Sequence, residues 1–220
     1  VLKMITSGPM NEGYNHVMER QLCFYSQLLK HDKYKCILLK NESLINHVNV
    51  ALKHVFEKHD LYSQNVIKHL LSCTMYMMQE SVDTLPNNME VIAKTLVLNL
   101  PDSVNRENAE HVHGIIKVLS SMSKSKKGAN AIIKTNAALV ISKLGQIVKH
   151  CGIQWSQNST IAALLNTMVH DALVVLNQLL HEREYEAVRK GDIAKLLEKQ
   201  AAFPSNTELV NSLFAKYKSM

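Results

Sequence analysis

The chain has 220 residues, 46% of them apolar and only 5% aromatic, with 7 Gly, 4 Pro and a mean hydropathy of −0.08. Ordinary usage would supply roughly 15 Gly and 11 Pro, so collagen-like and disulfide-scaffold classes are excluded, a turn-rich β-sandwich is disfavoured, and no apolar run reaches the ~18 residues of a membrane span. The net charge of +6 is unevenly placed: the window from His111 to His170 holds seven lysines and no acid, against 18 basic and 19 acidic residues in the rest of the chain.

The chain starts on Val1 and opens into a helical pattern without a signal-peptide profile. That start points to a segment of a longer intracellular, cytoplasmic protein, with cytoskeletal or centrosomal association as the finer expectation. Apolar residues then recur at helical spacing in Leu44, Ile45, Val48, Leu52, Val55 and Phe56; in Val66, Leu70, Leu71, Met75 and Met78; and in Val112, Ile115, Ile116, Leu119 and Met122. The longest such stripe runs through Ile161, Leu165, Met168, Ala172, Leu176 and Leu179. Strand alternation is absent, so the chain reads as all-α. Breaks are expected at Asp60, Pro86, Pro101, Gly128, Gly152, Gly191 and Pro204.

An internal repeat organises these helices. Residues 38–45 (Leu-Leu-Lys-Asn-Glu-Ser-Leu-Ile) align without gaps on residues 132–139 (Ile-Ile-Lys-Thr-Asn-Ala-Ala-Leu). With one deletion, Ala187 to Ile193 fits the same phrase: a short helix, a polar cap, then a longer apolar helix. On these segments, together with Glu182 to Leu197, the chain resembles the armadillo/HEAT family of helical repeats. Gly128 to Thr135 followed by Asn136 to Lys149 looks like a first and second helix of that family, although Asn41 and Thr135 stand where its glycine is usual. The resemblance implies a right-handed α-solenoid of about four armadillo-like repeats in a single domain over residues 1–220. Its approximate units are 1–30 (partial), 31–80, 81–123, 124–180 and 181–220, with third helices near 11–30, 60–80, 104–123, 158–180 and 207–219. In such repeats one unit leaves an apolar face bare, and stacking the next unit covers it.

Sequence motifs for chemistry are sparse. The four cysteines (Cys23, Cys36, Cys73, Cys151) lie far apart with no C-x-x-C pair, which predicts free buried thiols. The sequons at Asn41 and Asn158 read equally as helix caps. His111 and His113 are two apart, about 200° around a helix, so they cannot share an ion and read as exposed surface histidines. No phosphate-binding glycine loop and no metal motif occurs, and His150-Cys151 are adjacent letters rather than an assembled nucleophile pair. The expectation is therefore a non-enzyme without cofactor or metal. Met75 and Met78 are expected in the core with Met77 incidental, and Trp155 in a connection between helices, either tucked in or serving as an interface anchor.

The acid-free window carries the functional reading. Lys124, Lys126 and Lys127 fall on a turn, while Lys117, Lys134, Lys143 and Lys149 fall on helices, and the missing counter-charges raise the local potential. The alternative is a solvated face balanced by acids of neighbouring repeats, such as Glu107, Glu110 or Asp171. Lysine without arginine or interleaved aromatics disfavours specific nucleic-acid reading and favours a protein or acidic peptide as partner. In the armadillo family third helices line the binding groove, and by that resemblance Lys68, Lys117, Asn166, His170 and Asn177 become candidate contacts beside Lys124, Lys126, Lys127, Lys143, Lys149 and Trp155. The leading expectation is a scaffold that binds a partner in this groove or associates with itself through open terminal helices. An electrostatic surface for nucleic acid, microtubule or anionic membrane is one alternative, and a regulatory domain of a larger enzyme is another.

Overall fold

Polar side chains set several of the helix boundaries. The computed structural model describes residue 5 and residues 12–40, 42–79, 89–155 and 162–179. It places α1 at Glu12–Leu28, α2 at Asp32–Leu39, α3 at Glu42–Glu57, α4 at Gln64–Met78, α5 at Met89–Leu98, α6 at Ala109–Ser123, α7 at Lys126–Trp155 and α8 at Ala162–Leu179, with a 3-10 turn at His59–Leu61. The chain is all-helical, with no strand among the described residues. Ser63 starts α4 by accepting a bond from the Val66 amide at 3.2 Å, and Ser125 starts α7 by accepting one from the Gly128 amide at 3.0 Å. Ahead of α6, Asn105 and Asn108 exchange amide-to-side-chain bonds of 2.8 and 2.9 Å. The serine caps satisfy amides that the first turn of a helix cannot satisfy itself.

Helix α7 bends where the internal repeat placed a boundary. Asn136 leaves the helical conformation (φ 168°, ψ 92°), and its Oδ1 accepts a bond from the Leu139 amide at 3.1 Å. It therefore caps the second half of α7 as a serine caps a separate helix. Two expected breaks are corrected. Gly128 is the third residue of α7, because the chain turns at Lys124 and Ser125 instead, and Gly152 lies inside the same helix. The helix also continues through Trp155, which is not in a connection.

The helices pack in two rows. In one, α1 packs on α4, α4 on α6 and α6 on α8; in the other, α3 packs on α5 and α5 on α7. Helix α7 also lies against α6 and α8, which closes the rows over a shared core. That core takes Leu22 from α1, Leu70 from α4, Ile115 and Leu119 from α6, and Leu173 and Leu176 from α8, against Leu52, Ile92, Leu96, Ile132 and Leu144 of the second row. Each such side chain contributes about 1.5–3 kcal/mol by leaving water. The first-row helices α1, α4, α6 and α8 fall within the spans 11–30, 60–80, 104–123 and 158–180, while 207–219, the phrase at Ala187 to Ile193 and both sequon asparagines lie outside the described residues. Polar ties are few: Thr95 donates to the Asn49 side chain at 2.7 Å inside the second row, and Asn15 bonds the Leu61 carbonyl and the Ser63 amide at the entry to α4.

Burial corrects three expectations. Met77 is as buried as Met75 and Met78. Of the free cysteines only Cys73 and Cys151 are fully buried, Cys23 being intermediate and Cys36 exposed. His111 and His113 are half-buried rather than exposed.

Candidate functional site

Two neighbouring helices of the first row leave a cleft of about 230 Å³ between them. From α4 it is lined by Lys68, Leu71, Ser72, Met75 and Tyr76, and from α6 by Glu110, His113, Gly114 and Lys117, with Leu164 of α8 closing one side. The positions repeat at i, i+3, i+4 and i+7 on both helices, so each presents one continuous edge. Gly114 permits the approach: a Cβ there would stand 2.7 Å from Cδ1 of Leu71.

Charge around the cleft is mostly positive. Lys68 and Lys117 are exposed, and neither forms an ion pair with another described residue. Lys30 reaches over the Tyr76 ring with its Nζ 5.6 Å from the centroid, a cation-π arrangement. Glu110 stands on the same rim. The nearby acid Asp171 is engaged within the row: one oxygen lies 3.5 Å from Nε2 of His113, and the other accepts from the Ser120 hydroxyl at 3.4 Å. His113 and Asp171 are each about one-sixth exposed, so α6 and α8 approach here with little access to water, and Nε2 of His113 makes no hydrogen bond with a described residue.

The other candidate residues sort by position. Lys117 lies on α6 and Lys124, seven residues on, caps its end, and Lys126 and Lys127 follow at the start of α7. Two lysines of the acid-free window are engaged across the second row: Lys134 pairs with Glu90 at 2.6 Å, and Lys143 donates to the Leu100 carbonyl and lies 3.7 Å from Asp102. Asn166, His170 and Asn177 sit on α8 outside the cleft, on a stripe about 220° around the helix from Leu164. Lys149 and Trp155 lie on α7, and their side chains are outside the described residues.

Sequence reasoning missed Leu71, Gly114, His113 and Asp171 as a group. A glycine within an otherwise unbroken helical pattern was the available signal for close helix approach. The second histidine of the pair, His111, stacks on Phe56 with centroids 5.2 Å apart, and its Nε2 is buried without a hydrogen-bond partner among the described residues. Burial, with a smaller contribution from His59, pushes its pKa below the usual imidazole value. Burial likewise pushes the Cys73 and Cys151 thiols up to about 12, away from any nucleophilic role near neutrality. Among the described residues no group of three His, Cys, Asp or Glu side chains could hold a metal ion, and no helix is long and apolar enough to cross a membrane. In comparisons with known proteins, no family model, no curated protein and no solved structure matches the chain.

Proposed function

We propose that the chain is a non-catalytic α-solenoid interaction module of armadillo type, which holds a partner protein along the outer face of α4 and α6. The observation that carries this reading is the pairing of Lys68 and Lys117, two exposed lysines from different helices, on the rim of one cleft. Row packing supports the solenoid: each first-row helix meets the next in order, which is how repeats cover one another's apolar faces. The short-helix, cap, long-helix phrase at Asn136 supports the armadillo form. Lys124 extends the lysine edge of α6 beyond the cleft, which favours an acidic partner that follows the row.

The test compares proteins captured from a cell extract by the native chain, by K68E/K117E and by K124E/K126E/K127E, with melting temperatures confirming that all three fold. Loss of a reproducible set of partners from K68E/K117E, recoverable in the native sample at low salt, is the expected result. An identical set on both proteins removes the cleft from the function. Loss only from the triple variant moves the binding face to the junction of α6 and α7.

A further inference from the structure

We infer that the cleft between α4 and α6 is an anchor pocket for one apolar side chain carried by an acidic segment of a partner protein. The inference rests on the interaction-module reading and specifies what that module grips.

Size is the first constraint. At about 230 Å³ the cleft falls below the roughly 300–1,000 Å³ of pockets that enclose cofactors and drug-sized ligands. It has room for a side chain rather than a nucleotide. The lining is divided by chemistry: Leu71, Met75 and Leu164 give an apolar floor, and Lys68 and Lys117 stand on the rim. Leu71 and Met75 are nearly inaccessible, at 3% and 6% exposure, so their remaining surface is what the cleft offers. A purely anionic ligand would leave that floor wet, and a purely apolar one would strip water from two lysines without replacing it. A segment with an apolar residue between carboxylates satisfies both.

Charge selects the same occupant. Lys30, held over Tyr76, adds a third cation beside the rim; Asp171 is turned toward His113 and Ser120, and among the described residues Glu110 is the one acid that lines the cleft. Lysines act as adaptable point charges, suited to carboxylates at variable spacing more than to bidentate phosphate recognition. Interface energy concentrates in a few side chains seated in small, desolvated pockets whose surrounding contacts exclude water.

The experiment uses fluorescence anisotropy on the full chain with labelled peptides: four glutamates on either side of a central leucine, the same with central alanine, and the leucine peptide with every glutamate replaced by glutamine. A short single-stranded DNA is the fourth probe. The leucine peptide is expected to bind at least about tenfold tighter than the alanine peptide, because even one missing methylene in an apolar pocket costs on the order of 10- to 200-fold, and tighter than the glutamine peptide, which lacks the carboxylates. K68E/K117E should remove binding of both acidic peptides. Leu164→Trp fills the cleft and should erase the preference for leucine over alanine, and Gly114→Ala, which pushes Leu71 into the same space, should reduce it while the fold is retained by circular dichroism. Equal binding of the leucine and alanine peptides overturns the anchor, as does the absence of peptide binding or tighter binding of DNA. If both acidic peptides bind alike and both are lost in K68E/K117E, the anchor fails while the interaction module stands. If captured proteins also ignore K68E/K117E, both readings fail.

Discussion

His111 pairs a favourable ring contact with Phe56 against a buried nitrogen that has no partner among the described residues. Its pKa is lowered by burial, and that of His69 is lowered by burial and Lys68 against the opposing pull of Glu19. A group with a depressed cationic pKa is protonated first in the unfolded chain, so the unfolded state binds more protons and stability falls as pH drops from about 6.5 toward the folded values. The free energy of unfolding by urea should therefore be lower at mildly acid pH than at neutral pH, and H111F should flatten that slope; an unchanged slope would assign it elsewhere. Two glycines make a second prediction at this scale. A Cβ at Gly114 meets only the far end of Leu71, and replacing a helical glycine returns about 1 kcal/mol of propensity, so G114A should change stability by less than about 1 kcal/mol. At Gly128 the added Cβ would lie 2.1 Å from the Met122 carbonyl oxygen, backbone that cannot swing away. G128A should cost about 3 kcal/mol or more, the upper range of overpacking, in the same urea titration.

At the scale of elements, α7 shows what the repeat could predict and what it could not. The boundary near residue 136 is legible because the aligned phrase sets Thr135 opposite the Asn41 cap, one residue before Asn136, whose side chain performs the cap. The missing glycine at Thr135 has a physical explanation: with φ at 168°, the bend passes through extended backbone, which any residue adopts, so no left-handed glycine is required. Asn136→Ala should cost about 1 kcal/mol, as for other N-caps, and Asn136→Ser should restore most of it, measured by thermal melts. At the start of α7 the sequence offers Gly128 as punctuation, whereas Ser125 does the capping and glycine is needed for its close pass over Met122. The lysine window was read locally for the same reason. Lys134 and Lys143 find their acids, Glu90 and Asp102, more than 40 residues away in the chain, a distance at which charge patterning carries no signal. Lys117 is legible from the acid-free window and Lys68 only from the resemblance to third helices; packing brings the two to one rim.

At the α1 end, contacts run chiefly from α1 to α4, its neighbour in the row, while α7 ties the rows together at the α6 and α8 end, so a defect in α1 should stay near its origin. Leu22→Ala removes a buried side chain at the α1 end and should cost about 2–5 kcal/mol. Hydrogen exchange should then quicken in α1 and α4 well before α8; uniform loss of protection would mean that the rows unfold as one unit. The uneven burial of sulfur has a practical consequence on this scale. Cys73 and Cys151, held near 12 inside the rows, resist alkylation near neutral pH, whereas Cys36 stands open on α2, outside the cleft. A maleimide dye added briefly to the native chain should therefore mark the α2 end preferentially, so that the docking proposed at α4 and α6 can be followed as an optical signal without engineering a new attachment point.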